Sequence, residues 1–138
     1  MTPKAAAIIP AAGSGTRMNN AIPKQFLSLA GAPILVRTVS KFACCSFISQ
    51  IIVAAPKDSL ADTENMLAPL QVKETPIQVV QGGLRRQDSV SAALNAVNED
   101  IEVVLVHDGA RPLVSTDLIE RCYQKIVSSG AAIAAVPV

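Results

Sequence analysis

Short apolar runs alternate with amphipathic stretches along most of this chain. Five runs are rich in Val, Ile and Ala and are apolar at consecutive positions: residues 5–10, 50–55, 77–81, 102–107 and 131–138. Strands that are buried on both faces have this pattern. The pattern therefore predicts five buried β-strands.

Four stretches between these runs have apolar residues at helical spacing: residues 33–42, 59–67, 88–97 and 117–127. Pro33 stands in the first turn of one of them, and Ser115 or Thr116 can cap the last. Strands that alternate with helices predict an α/β fold. We expect a Rossmann-like, mostly parallel sheet with helices on both faces.

Composition favours one packed domain spanning residues 1–138. Half of the residues are apolar and 17% are charged, which is far from a disordered composition. The net charge of +1 gives no general attraction for nucleic acid or for an acidic membrane, so any anion site must be local. The three cysteines lack the spacing of a disulfide framework or a zinc site.

Nothing in the hydropathy pattern predicts a membrane protein or a secreted one. The apolar runs are too short to cross a bilayer, and the first of them leads straight into glycines rather than into a signal-peptide cleavage site. We therefore expect a cytoplasmic protein.

The stretch IIPAAGSGTRM, residues 8–18, is the first candidate for chemistry. Ligands of parallel α/β sheets bind at the carboxyl ends of the strands, which is where this stretch lies. Small residues let backbone N–H groups approach a phosphate, and Arg17 adds a guanidinium suited to phosphate oxygens. The alternative is an ordinary glycine turn with a surface arginine. The predicted ligand-binding residues here are Pro10, Ala11, Ala12, Gly13, Ser14 and Gly15.

Two well-known phosphate loops do not match this stretch. The chain contains no G-x-x-x-x-G-K-[ST] string, so it lacks a Walker loop. In the dinucleotide-binding fingerprint, Met18 stands where the third glycine belongs, and no acidic residue follows at the required distance. An oxidoreductase is therefore disfavoured.

A second cation follows in IPKQF, residues 22–26. Pro23 stiffens the backbone just before Lys24, so the lysine is presented from a rigid segment. Most lysines are merely solvated, which is the alternative. Together with Arg17, Lys24 would bring two cations to one phosphate site.

A third loop is QGGLRRQDSV, residues 81–90. Gly82 and Gly83 follow a predicted strand, and Asp88 and Ser89 are predicted to open a helix. Either of these two could simply be the N-cap. Alternatively, the helix N-terminus and the Ser89 hydroxyl face a ligand at the same sheet edge.

A fourth segment, VLVHDGARP, spans residues 104–112. Asp108 closes a buried strand and is well placed to hold Mg²⁺ beside phosphates. Arg111 could pair with Asp108 or with a substrate anion. His107 could serve either as a structural residue or in acid–base chemistry.

Together, P-A-A-G-x-G-x-R-M, P-K-Q, G-G-x-x-R-x-x-S-V and H-D-G-A-R-P resemble the 2-C-methyl-D-erythritol 4-phosphate cytidylyltransferase family. The resemblance covers the whole chain, and the ordered set is far more specific than any one motif. Related ribitol 5-phosphate cytidylyltransferases tend to differ around residues 88–90 and around Gly109 and Ala110. The sequences DSV and HDGARP favour the methylerythritol family.

The resemblance implies a nucleotidyltransferase that couples CTP with 2-C-methyl-D-erythritol 4-phosphate in non-mevalonate isoprenoid biosynthesis and releases pyrophosphate. It implies that Arg17 and Lys24 stabilise the transition state and that the backbone of residues 11–15 cradles the triphosphate. Gly83 and Ser89 would lie near the cytosine and ribose, and Asp108 near the ribose or Mg²⁺. The substrate-binding set then also includes Gly82, Gly109, Ala110 and Arg111.

The chain departs from the family in length. Family members continue well past residues 130–138, whose apolar strand has nothing after it, so we expect an incomplete catalytic domain, truncated at its C-terminus. The resemblance implies that the further part carries the acceptor site and the arm that forms a homodimer. We therefore expect this portion to be an inactive monomer. The alternatives are another sugar-phosphate nucleotidyltransferase or a non-enzymatic nucleotide-binding domain.

Overall fold

The computed structural model describes residues 2–13, 22–72 and 74–138. Its strands are β1 (Ala5–Pro10), β2 (Ser28–Leu29), β3 (Ala32–Pro33), β4 (Ile48–Ala55), β5 (Ile77–Gln81) and β6 (Val103–Val106). Its helices are α1 (Ile34–Ala43), α2 (Leu60–Leu67), α3 (Arg86–Leu94) and α4 (Thr116–Ser129), with short 3-10 turns at Lys24–Phe26, Lys57–Ser59 and Ala68–Val72. Within these described parts, no helix combines the length and the apolar character needed to cross a membrane.

The four longer strands form one parallel sheet in the order β5-β4-β1-β6. The central strand is β1, in which Ile8 lies opposite Ile52 of β4 on one side and Val106 of β6 on the other. The chain first builds outward from β1 through β4 to β5, and then crosses back to place β6 on the far side of β1. This order creates a topological switch point between the carboxyl ends of β1 and β6, the usual ligand site of such sheets.

Helices cover both faces of the sheet, as predicted. Alternate residues of β1 point to opposite faces, because the side chains of a strand alternate. Ile9 packs into the larger core with residues of α1, α2 and α4, whereas Ile8 packs with Ala93 of α3. Because both faces of β1 are buried, its sequence is apolar at consecutive positions rather than alternating.

The predicted elements agree with the structure, apart from small differences at their ends and two corrections. The first correction concerns α3, which begins at Arg86 and has Arg85 at the N-cap position. Asp88 is the third helical residue, and its carboxylate accepts the backbone N–H of Arg85. Neither Asp88 nor Ser89 is therefore the N-cap. At α4, Ser115 is the cap, and its hydroxyl accepts the N–H of Leu118.

The second correction concerns residues 131–138, which were predicted to form a strand. They form no strand, and side chains such as Ile133 and Val136 are exposed. Gly130, with φ of +81°, caps α4 and turns the chain, and the following residues run beside α4 without pairing with any described strand. A strand forms through hydrogen bonds to a neighbour, so an apolar run alone does not produce one.

Candidate active site

The loops after β1 and β6 meet at the switch point and are tied to the sheet. The N–H of Ala11 donates to Ala54 O at 2.8 Å, and the N–H of Gly109 donates to Pro10 O at 3.1 Å. The carbonyl oxygen of Gly109 accepts from the hydroxyl of Thr38, a buried residue of α1, at 2.9 Å. The ends of the two strands are therefore held by the core rather than by loop contacts alone.

The loop after β5 packs directly against the loop after β1. A Cβ at Gly82 would lie 2.4 Å from the Cβ of Ala12 and 2.7 Å from the Ser89 hydroxyl oxygen, so glycine is required at this position. The N–H of Gly83 donates to Ser89 Oγ at 3.1 Å, and Ser89 is buried. In this structure the Ser89 hydroxyl holds the loop, and its contact with a ligand stays a prediction.

The three loops enclose a pocket of about 280 Å³. Many of the predicted ligand-binding residues line it: Pro10, Ala11, Ala12, Gly13, Gly83, Ser89, Asp108, Gly109 and Ala110. Gly82 supports the wall from behind through its contact with Ala12. Ser14, Gly15 and Arg17 lie outside the described residues. The predicted residues that line the pocket come from three of the four segments that the sequence singled out.

The remaining segment, residues 22–26, supplies Gln25, a lining residue that the sequence analysis missed. Its neighbour Lys24 begins the 3-10 turn Lys24–Phe26 and is exposed. Lys24 does not itself line the pocket among the described residues. Because Gln25 forms part of the pocket wall, it anchors the lysine beside the site.

Two further lining residues that were not predicted, Arg85 and Arg86, place positive charge at the mouth of the pocket. Arg85 is held by Asp88, through Nε–Oδ2 at 3.0 Å and Nη2–Oδ1 at 2.9 Å. These hydrogen bonds hold the pKa of Asp88 below its ordinary value. The motif G-G-x-x-R-x-x-S-V contained Arg86, but nothing in the sequence indicated its partner.

Asp108 lies between two guanidinium groups. Its Oδ1 is 2.7 Å from Nη2 of Arg86, and its Oδ2 is 3.1 Å from Nε of Arg111. The sequence analysis considered Asp108 and a substrate anion as partners of Arg111, and this structure contains the ion pair with Asp108. Arg111 is mostly exposed and does not line the pocket among the described residues.

These ion pairs bear on the predicted Mg²⁺ ligand. Asp108 is the acidic side chain among the residues that line the pocket, and each of its oxygens already accepts from a cation. Within the described part of the chain, no group of three or more His, Cys, Asp or Glu side chains could hold a metal ion. Direct ligation of Mg²⁺ would require Asp108 to give up one of these ion pairs. Magnesium at Asp108 stays a prediction.

His107 directly follows β6 but does not line the candidate site among the described residues. Its ring lies 5.2 Å from that of Phe42, and it lines a separate, largely apolar pocket beside α4. Its Nδ1 is buried and has no hydrogen-bond partner among the described residues. Burial lowers the pKa of His107 although Asp108 opposes the shift, so the neutral form is favoured. The structural interpretation therefore has the stronger support.

The strand order and the small-residue pocket at the switch point define a Rossmann-like α/β domain with a candidate ligand site at the carboxyl edge of its sheet. The family model described as "IspD: 2-C-methyl-D-erythritol 4-phosphate cytidylyltransferase" matches residues 5–138. The chain belongs to this family.

Individual relatives agree with the family match. The chain is 51% identical to the bifunctional enzyme IspD/IspF of Desulfotalea psychrophila, over 96% of this chain and 34% of that protein. It is 45% identical to the 2-C-methyl-D-erythritol 4-phosphate cytidylyltransferase of Symbiobacterium thermophilum, over 95% of this chain and 53% of that protein. The chain thus spans about half the length of the latter and a third of the former.

A solved structure supports the fold. The crystal structure of 4-diphosphocytidyl-2C-methyl-D-erythritol synthase from Anaerococcus prevotii superposes with a TM-score of 0.77 and is 29% identical in sequence. The match covers 91% of this chain and 51% of that one. The α/β architecture expected from the sequence is confirmed.

Proposed function

We propose that this chain is the nucleotide-binding part of a cytidylyltransferase that couples CTP with 2-C-methyl-D-erythritol 4-phosphate. One observation carries the proposal: motif segments far apart in the sequence converge on one pocket at the switch point of the sheet. The names of the relatives, which are cytidylyltransferases of this substrate, support the choice of reaction.

The proposed reaction is a displacement at the α-phosphorus of CTP. A phosphate oxygen of methylerythritol phosphate forms the new P–O bond, and the bond to the β-phosphate breaks in line to release pyrophosphate. No covalent intermediate on the protein is needed. The protein contributes by positioning both reactants and by stabilising negative charge.

The residues divide these tasks according to their chemistry. The backbone of Ala11–Gly13, together with Ser14 and Gly15, would hold the triphosphate through N–H groups, since the small side chains permit close approach. Arg17 and Lys24 would stabilise the charge that develops at the α-phosphate. Gly83, Ser89 and Asp108 would contact the nucleoside.

The proposal also covers how Mg²⁺ enters the site, the oligomeric state and the cell compartment. Because Asp108 is engaged by two arginines, we expect Mg²⁺ to enter with the triphosphate oxygens of CTP. The whole protein would be a cytoplasmic homodimer. For residues 1–138 alone we propose a monomer that binds CTP weakly and makes no product.

Calorimetric titration of the chain with CTP, UTP, ATP and GTP in the presence of Mg²⁺ tests the base assignment. We expect CTP to bind more tightly than either purine nucleotide. Equal or tighter binding of ATP would contradict the cytidylyltransferase. A pyrophosphate-release assay on the whole protein, with methylerythritol phosphate and ribitol 5-phosphate in parallel, tests the acceptor.

A further inference from the structure

Gln25 is a buried polar side chain that bridges two of the motif segments. It is 5% exposed and lies in the turn that begins at Lys24. Its Nε2 donates to the carbonyl oxygen of Ala11 at 2.5 Å and to that of Gly13 at 3.1 Å. Both amide hydrogens of one side chain are therefore used on the backbone of the first glycine loop.

These two bonds orient the peptide groups of the loop. In a trans peptide the C=O and the following N–H point in opposite directions. Because Gln25 draws the carbonyl of Ala11 towards itself, the N–H of Ala12 points away from Gln25. That N–H has no acceptor among the described residues, and Ala12 lines the pocket. It is therefore available to a ligand.

We propose that Gln25 is a positioning residue for the nucleotide site. It holds the carbonyls of Ala11 and Gly13 towards its own amide, so that the loop presents the N–H of Ala12 to the phosphates. It also fixes the separation between this loop and Lys24, its own neighbour in the chain. The proposal rests on the proposed function, because it assigns Gln25 a role in binding the same triphosphate.

The chain contains a matched control for this arrangement. Gln50 is also buried, at 3% exposure, and it also clamps a loop. Its Nε2 donates to Ala96 O at 2.9 Å, and its Oε1 accepts the N–H of Asn98 at 3.0 Å. That loop follows α3 and does not line the pocket among the described residues. A purely structural glutamine should behave like Gln50.

The experiment compares Gln25→Glu and Gln25→Met with Gln50→Glu. Glutamate keeps the shape but has no N–H to give, so two carbonyl oxygens would face a carboxylate. Methionine removes the donors without adding charge. For each variant we would measure CTP affinity by calorimetry with Mg²⁺, and the thermal midpoint.

We expect both Gln25 variants to weaken CTP binding by on the order of 10-fold to 100-fold, the effect of losing one hydrogen bond to a charged group. Gln50→Glu should lower the thermal midpoint comparably and leave CTP affinity unchanged. If Gln25→Glu does not fold, Gln25→Met decides the matter. In the whole protein, KM for CTP should rise and kcat should also fall, because Lys24 moves with the loop.

The outcomes separate the two proposals. If the unaltered chain fails to bind CTP, the proposed function is wrong and the role of Gln25 falls with it. If the unaltered chain binds CTP and Gln25→Met binds it equally well, the proposed function stands and Gln25 is only structural. A loss of affinity in Gln50→Glu as large as that in the Gln25 variants would also overturn the positioning role.

Discussion

Arg86, the first residue of α3, forms an ion pair with Asp108, which follows β6, at 2.7 Å. The strands that precede these two residues, β5 and β6, are the outer strands of the described sheet, with β4 and β1 between them. The ion pair therefore spans the carboxyl edge of the sheet across the mouth of the pocket. It also offsets the negative charge of Asp108 where a triphosphate is proposed to enter.

Replacing Arg86 by alanine should weaken CTP binding several-fold and change stability little. The Arg86 side chain is 59% exposed and that of Asp108 is 33% exposed, and solvent-accessible ion pairs contribute about 0–1 kcal/mol to stability. The loss of affinity would come from the carboxylate of Asp108, which would keep only its ion pair with Arg111 and would repel the triphosphate more strongly. This loss should shrink at high salt. Calorimetry at two salt concentrations measures it. Arg121→Ala, which removes an exposed pair with Asp117 on α4, is the control and should not affect binding.

Substituting Gly82 by alanine should damage the fold and the site together. The new Cβ would lie 2.4 Å from the Cβ of Ala12, so the two loops would have to separate. Overpacking of this kind typically costs about 1–3 kcal/mol. Gly31→Ala serves as the comparison, since it meets only the strain of a φ of +84° and lies away from the pocket. Chemical unfolding and CTP titration of both variants check the prediction, which fails if Gly82→Ala keeps normal affinity.

Alanine at Arg17 or Lys24 should lower turnover of the whole protein far more than stability. A surface substitution usually changes stability by within about 0.5 kcal/mol, and Lys24 is exposed. Loss of one contact to transition-state charge can reduce the rate by about 10²–10³-fold. Pyrophosphate release and thermal unfolding distinguish the two effects. A collapse of the thermal midpoint in parallel with turnover would show that the residues are structural.

His107 should make the protein less stable in mild acid. Burial lowers its pKa in the folded state, so the unfolded chain binds the proton more readily. The free energy of unfolding therefore falls as the pH drops below about 6.5, the ordinary value for histidine. His107→Gln should reduce the difference in stability between about pH 7.5 and pH 5.5. Urea unfolding at both values measures it, and an unchanged difference would count against the assignment.

The sequence predicted β1 and β5 to the residue, because strands buried on both faces leave a clear apolar signal. The same signal failed at residues 131–138. Whether an apolar run becomes a strand depends on a neighbour to pair with, and that information is not local. Helix α3 begins at Arg86, two residues before the predicted start at Asp88. Arg85 and Asp88 form hydrogen bonds with each other's backbone and side chain at the start of the helix, and simple N-cap preferences do not anticipate this pairing.

The candidate site was predictable where small residues and charges followed strand ends. The sequence analysis did not predict Gln25 and Arg86 as lining residues, because in the sequence each resembles an ordinary polar residue of the surface. The contacts that give them importance join residues 12, 14 and 22 positions apart. Such pairings depend on the order of the strands in the sheet, which motif spacing does not reveal.

The position of β1 in the sheet has a consequence for biosynthesis. β1 acquires one neighbour from β4 early, but its other neighbour, β6, is translated almost 100 residues later. Tyr123 of α4 then hydrogen-bonds the carbonyl of Pro3, immediately before β1. A nascent chain that ends after β5 would thus expose one side of its central strand and lack more than half of the residues that line the pocket. We expect the nucleotide site to form in a single late step, once residues 103–123 have emerged.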